Sequence, residues 1–332
     1  MKAAILKQYS KTDVDLFVEE IPQPQIGPQE VLIQVKAAGV NPLDNMIRHG
    51  QVKLITPYSL PLIMGNELAG QVVAVGSQVD RFQKGDRVFG RLPLDKIGAF
   101  AEYAAVDQQA LALIPDYLDF AEAAAIPLTA LTAMQAFDLM KVEAGKTIFI
   151  SGGTGGLGAM AIPLAKSKGL TVITNGSGSN EERVKTLGAS RFIDYKKEDY
   201  SQILSDVDYI LDTLGGKELD KQFRILKKGG SLVSLKGVPN KAFAERQGLS
   251  FVKKFLFGLV GSKYDKLARQ KEASYHFVFV ESNGQQLQEV ADLLEDLQLK
   301  PAIDSLYSFE EINQALDKIA HQPSKGKTIV TF

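Results

Sequence analysis

The chain has 332 residues, 45% of them hydrophobic and 23% charged, which is ordinary for a soluble globular protein and long enough for two domains. Its formal net charge of −1 excludes the strongly basic bias of nucleic-acid-binding proteins, so we expect no nucleic-acid partner. With no cysteine, and no segment of the roughly 18 apolar residues that a membrane span needs, we expect a cytoplasmic protein without disulfides, thiolate metal ligands or an integral membrane segment.

The first part of the chain, residues 1 to about 124, has the pattern of a domain rich in strands and turns. Val31–Ala37 and Gln71–Val75 have the composition of strands, and prolines and glycines precede the first of them. Gly76–Val88 is predicted to be a hairpin connection that returns into a further strand through a Gly-Asp turn.

A glycine-rich turn lies near the centre of the chain, within Thr147–Lys166, between a β-branched apolar run and a helical pattern. Gly153, Gly155 and Gly158 match G-x-G-x-x-G, in which the first glycine permits a tight turn, the second allows backbone to approach phosphates, and the third allows helix to pack on strand. The start of the helix would also attract an anion. The residues predicted to bind a dinucleotide pyrophosphate are Gly153, Thr154, Gly155, Gly156, Leu157 and Gly158. One such match is weak by itself, because glycine-rich turns also occur as plain connections.

The context of this turn strengthens the prediction, because short apolar segments precede and follow it at the spacing of βαβ units. The six predicted strands are Ile148–Ile150, Leu170–Thr174, Arg191–Asp194, Asp208–Asp212, Ser231–Leu235 and His276–Val280. Strands separated in this way indicate an α/β fold with a doubly wound parallel sheet. Pro163 falls inside the first helix and predicts a slight kink but no break.

The C-terminal tail contains two predicted helices and a last strand. The helices are expected at about Gly284–Leu299 and within Ser308–Gln322, the second beginning with an S-x-x-E capping box, and the strand at Lys327–Thr331. We expect the tail to rejoin the first domain, so that residues 1–124 and 282–332 form one domain and residues 125–281 form the other.

Segments along almost the whole chain occur in an order typical of one protein family. They are Lys36–Gly50, Gly65–Val88, Gly98–Tyr103, Ala124–Ala133, the glycine-rich turn, Asp212–Gly216 and Gly326–Phe332. With these segments the chain resembles the zinc-free quinone oxidoreductase group of the medium-chain dehydrogenase/reductase superfamily. The resemblance implies a Rossmann sheet in the middle of the chain and a β-rich, GroES-like catalytic domain.

The zinc-ligand positions of that superfamily differ in this chain. The zinc-dependent branch carries a cysteine where this chain has Asn41 and a histidine where it has Asn66. The three histidines, His49, His276 and His321, form no H-x-x-x-H pair, so we interpret them as surface or packing residues and expect no bound metal. Without a Lewis acid, hydride transfer needs an electron-poor acceptor, such as a quinone or an α,β-unsaturated carbonyl compound.

The end of the second strand of the predicted sheet indicates which nicotinamide cofactor binds. NAD-selective Rossmann units have an acidic residue there that bonds the ribose 2′-hydroxyl, whereas this chain has Asn175 and Gly176. Ser177 and Arg183 would tolerate a 2′-phosphate. The expected cofactor is therefore NADPH.

Other residues near this position have both a cofactor-binding and a structural interpretation. Ser179 and Glu182 fit a capping box, which would make Arg183 a solvated helical charge. Tyr195 resembles the adenosine-site tyrosine of the family, but it could equally be a packing aromatic. Gly237 completes the predicted cofactor-binding residues.

Asn41, Asp44 and Arg48 lie on a short segment whose family counterpart lines the cleft beside the nicotinamide, and the resemblance makes them the catalytic candidates. Asn41 would bond substrate oxygen or nicotinamide ribose, and Thr129 would bond the carboxamide. For Asp44 and Arg48 a structural ion pair is an equal alternative. Many zinc-free relatives have tyrosine where this chain has Met46, so solvent or a bound water is expected to protonate the product.

Two segments predict contacts with other surfaces. Leu249–Lys266 is aromatic, apolar and basic, which favours packing at a domain or dimer interface and leaves open a lid over the acceptor or a membrane-surface helix. Tyr275–Val280 would be the exposed edge of the sheet, where antiparallel pairing with a second subunit predicts a homodimer.

The predicted function is that of an NADPH-dependent, zinc-independent oxidoreductase that transfers a hydride to small quinones or related electron-poor acceptors. One alternative is a reductase that prefers alkenals and enones. The other is a non-catalytic NADPH-binding protein with a structural, sensing or RNA-contacting role.

Overall fold

The computed structural model describes residues 1–12 and 14–332 and divides into two units, Met1–Leu131 with Glu281–Phe332, and Thr132–Val280. The strands, in chain order, are β1 (Lys2–Leu6), β2 (Phe17–Glu20), β3 (Glu30–Val40), β4 (Leu62–Ile63), β5 (Glu67–Val75), β6 (Arg87–Arg91), β7 (Tyr103–Asp107), β8 (Leu111–Leu113), β9 (Thr147–Ile150), β10 (Thr171–Gly176), β11 (Arg191–Asp194), β12 (Val207–Asp212), β13 (Leu226–Ser234), β14 (Ser274–Phe277), β15 (Ile303–Ser308) and β16 (Lys327–Thr331). The helices are α1 (Pro42–Arg48), α2 (Phe120–Ala124), α3 (Pro127–Met140), α4 (Gly156–Ser167), α5 (Glu181–Thr186), α6 (Tyr200–Ile203), α7 (Lys217–Ile225), α8 (Lys241–Arg246), α9 (Phe251–Gln270), α10 (Gly284–Leu297) and α11 (Ile312–His321).

The first unit is built around a mostly antiparallel sheet with the strand order β15-β16-β3-β5-β6-β8, in which β7 also pairs with β3. Along the first part of β3, buried residues alternate with partly exposed ones, so Val31, Ile33 and Val35 enter the core. The C-terminal strand β16 pairs with β3, which attaches the tail to this unit. The sequence placed the domain boundaries at 124/125 and 281/282, and the structure divides the chain at 131/132 and 280/281.

The second unit contains a parallel sheet with the strand order β11-β10-β9-β12-β13-β14. This is the doubly wound order 3-2-1-4-5-6, whose direction of winding reverses between β9 and β12. The predicted α/β fold with a doubly wound parallel sheet is confirmed. Helix α4 continues through Pro163, so the proline does not break it, as the sequence predicted.

Two local predictions are wrong. The strand expected at the edge of the sheet is present, but it spans Ser274–Phe277, so the predicted bounds His276–Val280 and Tyr275–Val280 are wrong; β13 ends at Ser234, which lies opposite Phe277. The predicted capping box of Ser179 and Glu182 does not form, because α5 begins at Glu181 and Ser179 lies in a preceding 3-10 turn. The capping box at Ser308 is present and precedes the 3-10 turn that leads into α11.

The segment Leu249–Lys266 contains most of α9, which packs against α8 and β14 of the second unit. An apolar stripe on its first turns is exposed, and it consists of Phe251, Val252, Phe255, Leu256, Leu259 and Val260. Within residues 1–12 and 14–332, no helix combines the length and the hydropathy that crossing a bilayer requires.

Candidate functional site

The glycines of the glycine-rich turn in the second unit differ in backbone conformation and in how closely other atoms surround them. Gly152, which precedes the motif, has a φ of +66° and therefore takes the left-handed conformation that glycine tolerates best. A Cβ atom on Gly153 would lie 2.0 Å from Oγ1 of Thr174, and one on Gly158 would lie 2.4 Å from Cα of Gly153. On Gly155 an added Cβ would meet only the carbonyl oxygen of Gly152, at 3.5 Å. The first and third glycines of the motif therefore allow close packing, and the second borders open space.

The start of α4 adds hydrogen-bond donors beside that open space. Gly155 is the N-cap of α4, and the helix continues through Gly156, Leu157 and Gly158. The first N–H groups of a helix have no partner within it and carry partial positive charge, so they suit an anion. The residues present therefore fit a pyrophosphate group at the turn.

The end of β10 is packed tightly against the glycine-rich turn. The side-chain oxygen of Asn175 accepts a hydrogen bond from Gly152 N at 2.8 Å, so this amide holds the turn in place. A Cβ atom on Gly176 would lie 2.3 Å from Cγ2 of Thr154, so a side chain at this position requires the Thr154 side chain to move. A side chain at position 176 is therefore disfavoured by a contact that the sequence did not show.

The remaining predicted cofactor residues lie around the same edge of the sheet. Arg183 on α5 donates to the carbonyl oxygen of Thr154, which fixes its guanidinium beside the turn. Tyr195 follows β11, donates its backbone N–H to Gly176 O at 3.2 Å and has an exposed side chain. Ser177 directly follows β10, and its hydroxyl lies 3.5 Å from that of Ser179. Gly237 follows β13, where an added Cβ would lie 2.4 Å from the hydroxyl of Tyr275.

Asp212, at the carboxyl end of β12, organises the neighbouring loop. Its fully buried carboxylate accepts hydrogen bonds from Gln222 Nε2 at 2.8 Å, from Ser234 Oγ at 2.5 Å and from the backbone N–H groups of Leu214 and Gly215. The sequence placed this residue in a family segment without giving it a role. Its network links the ends of β12 and β13 beside the glycine-rich turn.

In the first unit, Asn41 joins a buried polar cluster at the end of β3. Its side-chain nitrogen donates to Glu67 Oε1 at 2.8 Å, and Lys327 Nζ donates to both Asn41 Oδ1 and Glu67 Oε1. The other carboxylate oxygen of Glu67 accepts from Leu128 N at 2.6 Å, at the start of α3. Gly39 permits this approach, because a Cβ there would lie 2.3 Å from Glu67 Oε1.

Asp44 and Asn66 extend this cluster. Asp44 accepts hydrogen bonds from Asn41 N at 2.8 Å and from Asn66 Nδ2 at 2.7 Å. Burial raises the pKa of Asp44 to about 7, although both hydrogen bonds favour its charged form. The side-chain oxygen of Asn66 is buried and has no hydrogen-bond partner among the described residues.

Arg48 and Thr129, two other predicted site residues, make contacts of a different kind. Arg48 is fully buried, donates to Val14 O at 2.9 Å and pairs with Asp317 of α11 at 3.3 Å, so α1 and α11 are joined through it. Arg48 thus forms an ion pair with Asp317, whereas the structural alternative in the sequence was an ion pair with Asp44. Thr129 Oγ1 donates to Ile126 O at 2.9 Å, within the first turn of α3.

Comparison with known proteins shows the same two-part organisation. Residues 27–116 match the alcohol dehydrogenase GroES-like domain, and residues 187–330 match the zinc-binding dehydrogenase family. A 2-methylene-furan-3-one reductase of Solanum lycopersicum is 33% identical over 99% of this chain and 79% of its own length. An Arabidopsis thaliana protein named NADPH-dependent alkenal/one oxidoreductase, chloroplastic, is 32% identical over the same shares. The quinone oxidoreductase of Coxiella burnetii superposes with a TM-score of 0.84 at 28% identity, over 100% of this chain and 99% of that one.

The chain belongs to the medium-chain dehydrogenase/reductase superfamily. It is an oxidoreductase, and the predicted family, the Rossmann sheet and the GroES-like domain are confirmed. Asn41, Asn66 and Glu67 belong to one buried hydrogen-bonded cluster, in which Asp44 links Asn66 to Asn41. Among residues 1–12 and 14–332, no group of three or more His, Asp and Glu side chains is arranged to hold a metal ion.

Two buried cationic side chains of the first unit were not singled out from the sequence. Lys327 is 6% exposed and bonds Asn41 and Glu67, and Arg91 is fully buried at the end of β6. Burial lowers the pKa of Arg91 to about 10. A signal was present in the sequence, because each cation interrupts or borders an apolar strand, in RVFGR and KTIVT. Burying a charge is costly, so such positions indicate a function or a buried partner.

Proposed function

We propose that this protein is an NADPH-dependent, zinc-independent reductase of quinones and related electron-poor carbonyl compounds. The observation that carries the proposal is the hydrogen-bonded cluster of Asn41, Glu67 and Lys327, which brings together an amide and an ammonium group. By family resemblance, Asn41 occupies a position that carries a zinc ligand in the zinc-dependent branch. When bound, NADPH supplies a hydride. The chain contains no cysteine, so a thiolate ligand like those of the zinc branch cannot be formed.

The cluster would act by orienting an acceptor and by stabilising the charge that develops on its oxygen. Lys327 brings a positive charge to a site that excludes water, where electrostatic interactions are stronger than in solution. Asn41 and Glu67 hold the ammonium group in position, because both accept hydrogen bonds from it. Met46 stands where many zinc-free relatives have tyrosine, so the product takes its proton from solvent.

The preference for NADPH over NADH rests on the second unit. An acidic side chain cannot stand at Gly176 without displacing Thr154, and Arg183 is held beside the same turn. We expect NADPH to bind at least tenfold more tightly than NADH, which is about 1.4 kcal/mol. Fluorescence titration of both dinucleotides tests this, with Arg183→Ala expected to remove the difference. Lys185→Ala is the matched control, because Lys185 pairs with Glu181 on the same helix.

A second candidate function is the reduction of alkenals and enones in preference to quinones. The names of the tomato and Arabidopsis relatives favour it, because both describe reductases of compounds with activated C=C bonds. The kcat/KM values for a panel of quinones, enones and saturated aldehydes, each with NADPH and NADH, separate the two functions. If the protein binds NADPH but none of the tested acceptors leads to NADPH oxidation, it would instead be a non-catalytic binding protein.

We also propose that the protein forms a homodimer through β14. This strand pairs with β13 on one side, and α9 with its exposed apolar stripe packs nearby. An unpaired edge strand favours antiparallel pairing with its own copy. Sedimentation velocity should give the mass of a dimer, and the β14 amides should lose protection from hydrogen exchange when the protein is diluted. A monomer at micromolar concentration would contradict the proposal.

A cytoplasmic location remains part of the proposal. It is supported by the absence of cysteine, which suits a reducing compartment. The Arabidopsis relative is named as chloroplastic, so relatives occur in organelles as well. Fractionation of cells that express a tagged full-length chain would test the location.

A further inference from the structure

The apolar stripe of α9 is the densest group of exposed apolar side chains in residues 1–12 and 14–332. All six of its members fall within ten consecutive residues, and Phe251 at its start is 83% exposed. The other exposed large apolar side chains are spread over several elements of both units, which is normal for a folded protein. A contiguous apolar surface like the stripe indicates an interaction site.

The opposite side of α9 is packed onto the second unit, which fixes the direction of the stripe. The ring of Tyr264 stacks on that of Phe223 with 6.2 Å between centroids, and the ring of Phe257 meets Phe243 edge to face at 5.9 Å. Gly261, on the same side of the helix, is buried. Because these contacts hold the helix, the stripe cannot turn into the core without losing them.

Basic side chains surround the stripe. By the helical period, Lys253 and Lys254 lie on its two sides. Both are half-buried, a position from which lysine covers apolar surface with its stem and keeps its ammonium group in water. Lys263, Lys266 and Arg269 follow the stripe along the same exposed side of the helix. With five cationic side chains and one acidic side chain, α9 has a net charge of +4, whereas the entire chain has −1.

We propose that α9 docks this protein on the surface of an anionic lipid bilayer. The stripe would enter the boundary between headgroups and acyl chains to a depth of about 5–10 Å, and the basic side chains around it would bind lipid phosphates. The helix would lie in the plane of the surface, where its packed side still faces the second unit. This docking goes beyond the proposed function and does not depend on it.

A second copy of the chain is the other candidate that could cover the stripe. Two α9 helices brought face to face would place two net charges of +4 beside each other, which like-charge repulsion opposes. Anionic headgroups compensate the same charges. The charge of α9 therefore favours lipid over self-association, and the homodimer proposed through β14 uses main-chain pairing, not the stripe.

A single fluorescent side chain can report on the stripe, because the chain contains no tryptophan. With vesicles of phosphatidylcholine and about 30 mol% phosphatidylglycerol, we expect the fluorescence of Phe255→Trp to shift to shorter wavelength and to be quenched by lipids brominated on the upper acyl chain. Vesicles of phosphatidylcholine alone should shift it less. Leu306→Trp is the matched control, because Leu306 has the same 59% exposure as Phe255 but lies on β15 of the first unit, and its fluorescence should not change.

Removal of apolar side chains tests the contribution of the stripe. The double variant Phe251→Gln, Phe255→Gln should lower the partition coefficient for the anionic vesicles, measured by flotation, by about tenfold or more. The double variant Leu297→Gln, Leu306→Gln removes exposed apolar side chains outside α9 and should bind as the wild type does. All four side chains are at least half exposed, so urea unfolding of both variants should match that of the wild type.

Reversal of charge tests the basic end of the helix. The double variant Lys266→Glu, Arg269→Glu should also lower the partition coefficient by about tenfold or more, and NaCl at about 0.5 M should weaken binding of the wild type. The double variant Lys11→Glu, Lys84→Glu makes the same change of charge at exposed positions of the first unit and should bind like the wild type.

Three results would overturn the proposal. The first is a wild-type protein that does not float with the anionic vesicles at low salt, and the second is a Leu306→Trp probe that responds as strongly as Phe255→Trp. The third is conversion of a dimer into a monomer by Phe251→Gln, Phe255→Gln in sedimentation velocity without lipid, with vesicle binding unchanged, which would make a second copy the occupant of the stripe. The proposal expects this variant to sediment as the wild type does.

Discussion

Valine at position 155 should abolish NADPH binding and leave the fold almost unchanged. Gly155 has a φ of −81°, which any residue can adopt, and an added Cβ meets only Gly152 O at 3.5 Å. The cost to folding is therefore limited to the weaker N-cap preference of valine, about 1 kcal/mol or less. The same side chain would fill the space beside the start of α4, so NADPH should bind at least a hundredfold more weakly, about 2.7 kcal/mol.

Gly158→Ala is the matched control for this prediction. Its Cβ would lie 2.4 Å from Gly153 Cα and 2.5 Å from Gly152 O, both of them backbone atoms that cannot move without opening the turn. We expect this smaller change to reduce the free energy of unfolding by about 1–3 kcal/mol. Urea unfolding and NADPH fluorescence titration, applied to both variants, separate binding from stability. The reasoning is refuted if Gly155→Val binds NADPH as tightly as the wild type, or if it is destabilised more than Gly158→Ala.

Three other changes test the first unit. Burial raises the pKa of Asp44 from 3.8 to about 7, so the folded state keeps a proton that the unfolded state releases. As pH rises from about 4 to about 7, the wild type should therefore lose up to about 1.4 kcal/mol of unfolding free energy per pH unit relative to Asp44→Asn. The prediction would be contradicted if the unfolding free energies of the two proteins, measured in urea, changed in parallel with pH. Asn41→Ala should lower kcat at unchanged NADPH affinity. It should also lower the unfolding free energy by about 1.5–3 kcal/mol, because it removes hydrogen bonds to Lys327 and Glu67. Kinetic parameters equal to those of the wild type would mean that Asn41 is purely structural. Activity should survive exhaustive chelation, and elemental analysis should find no stoichiometric zinc, whereas activity lost on chelation and restored by zinc would be the opposite result.

The parallel sheet could be predicted from sequence because its signals are local. β-branched runs alternate with helical patterns, and the glycine-rich turn marks where the first strand ends, so β11 was predicted at its observed bounds. The edge strand was misplaced because the end of β14 depends on where β13 stops, which is a contact between distant segments. The capping box at Ser179 failed for a similar reason, since a 3-10 turn follows Ser177 and delays the start of α5.

The candidate site in the first unit was only partly predictable. Asn41 and Asp44 were found through family resemblance, but Lys327 lies 286 residues from Asn41 and meets it only because β16 pairs with β3. Arg91 was missed because its meaning comes from its burial and its position opposite Glu67, neither of which can be read from one strand. For Arg48 the sequence offered an ion pair with Asp44, whereas the tail supplies Asp317 as the partner.

Hydride transfer by this protein in the absence of zinc is tested most directly with NADPH in which both hydrogens at C4 of the nicotinamide are replaced by deuterium. The chelated, metal-free protein would be incubated with an enone, and the product would be analysed by mass spectrometry. Our account predicts one deuterium on a carbon of the saturated ketone, where it cannot exchange with water. A product without deuterium, or a product that forms only after zinc is added, would contradict it.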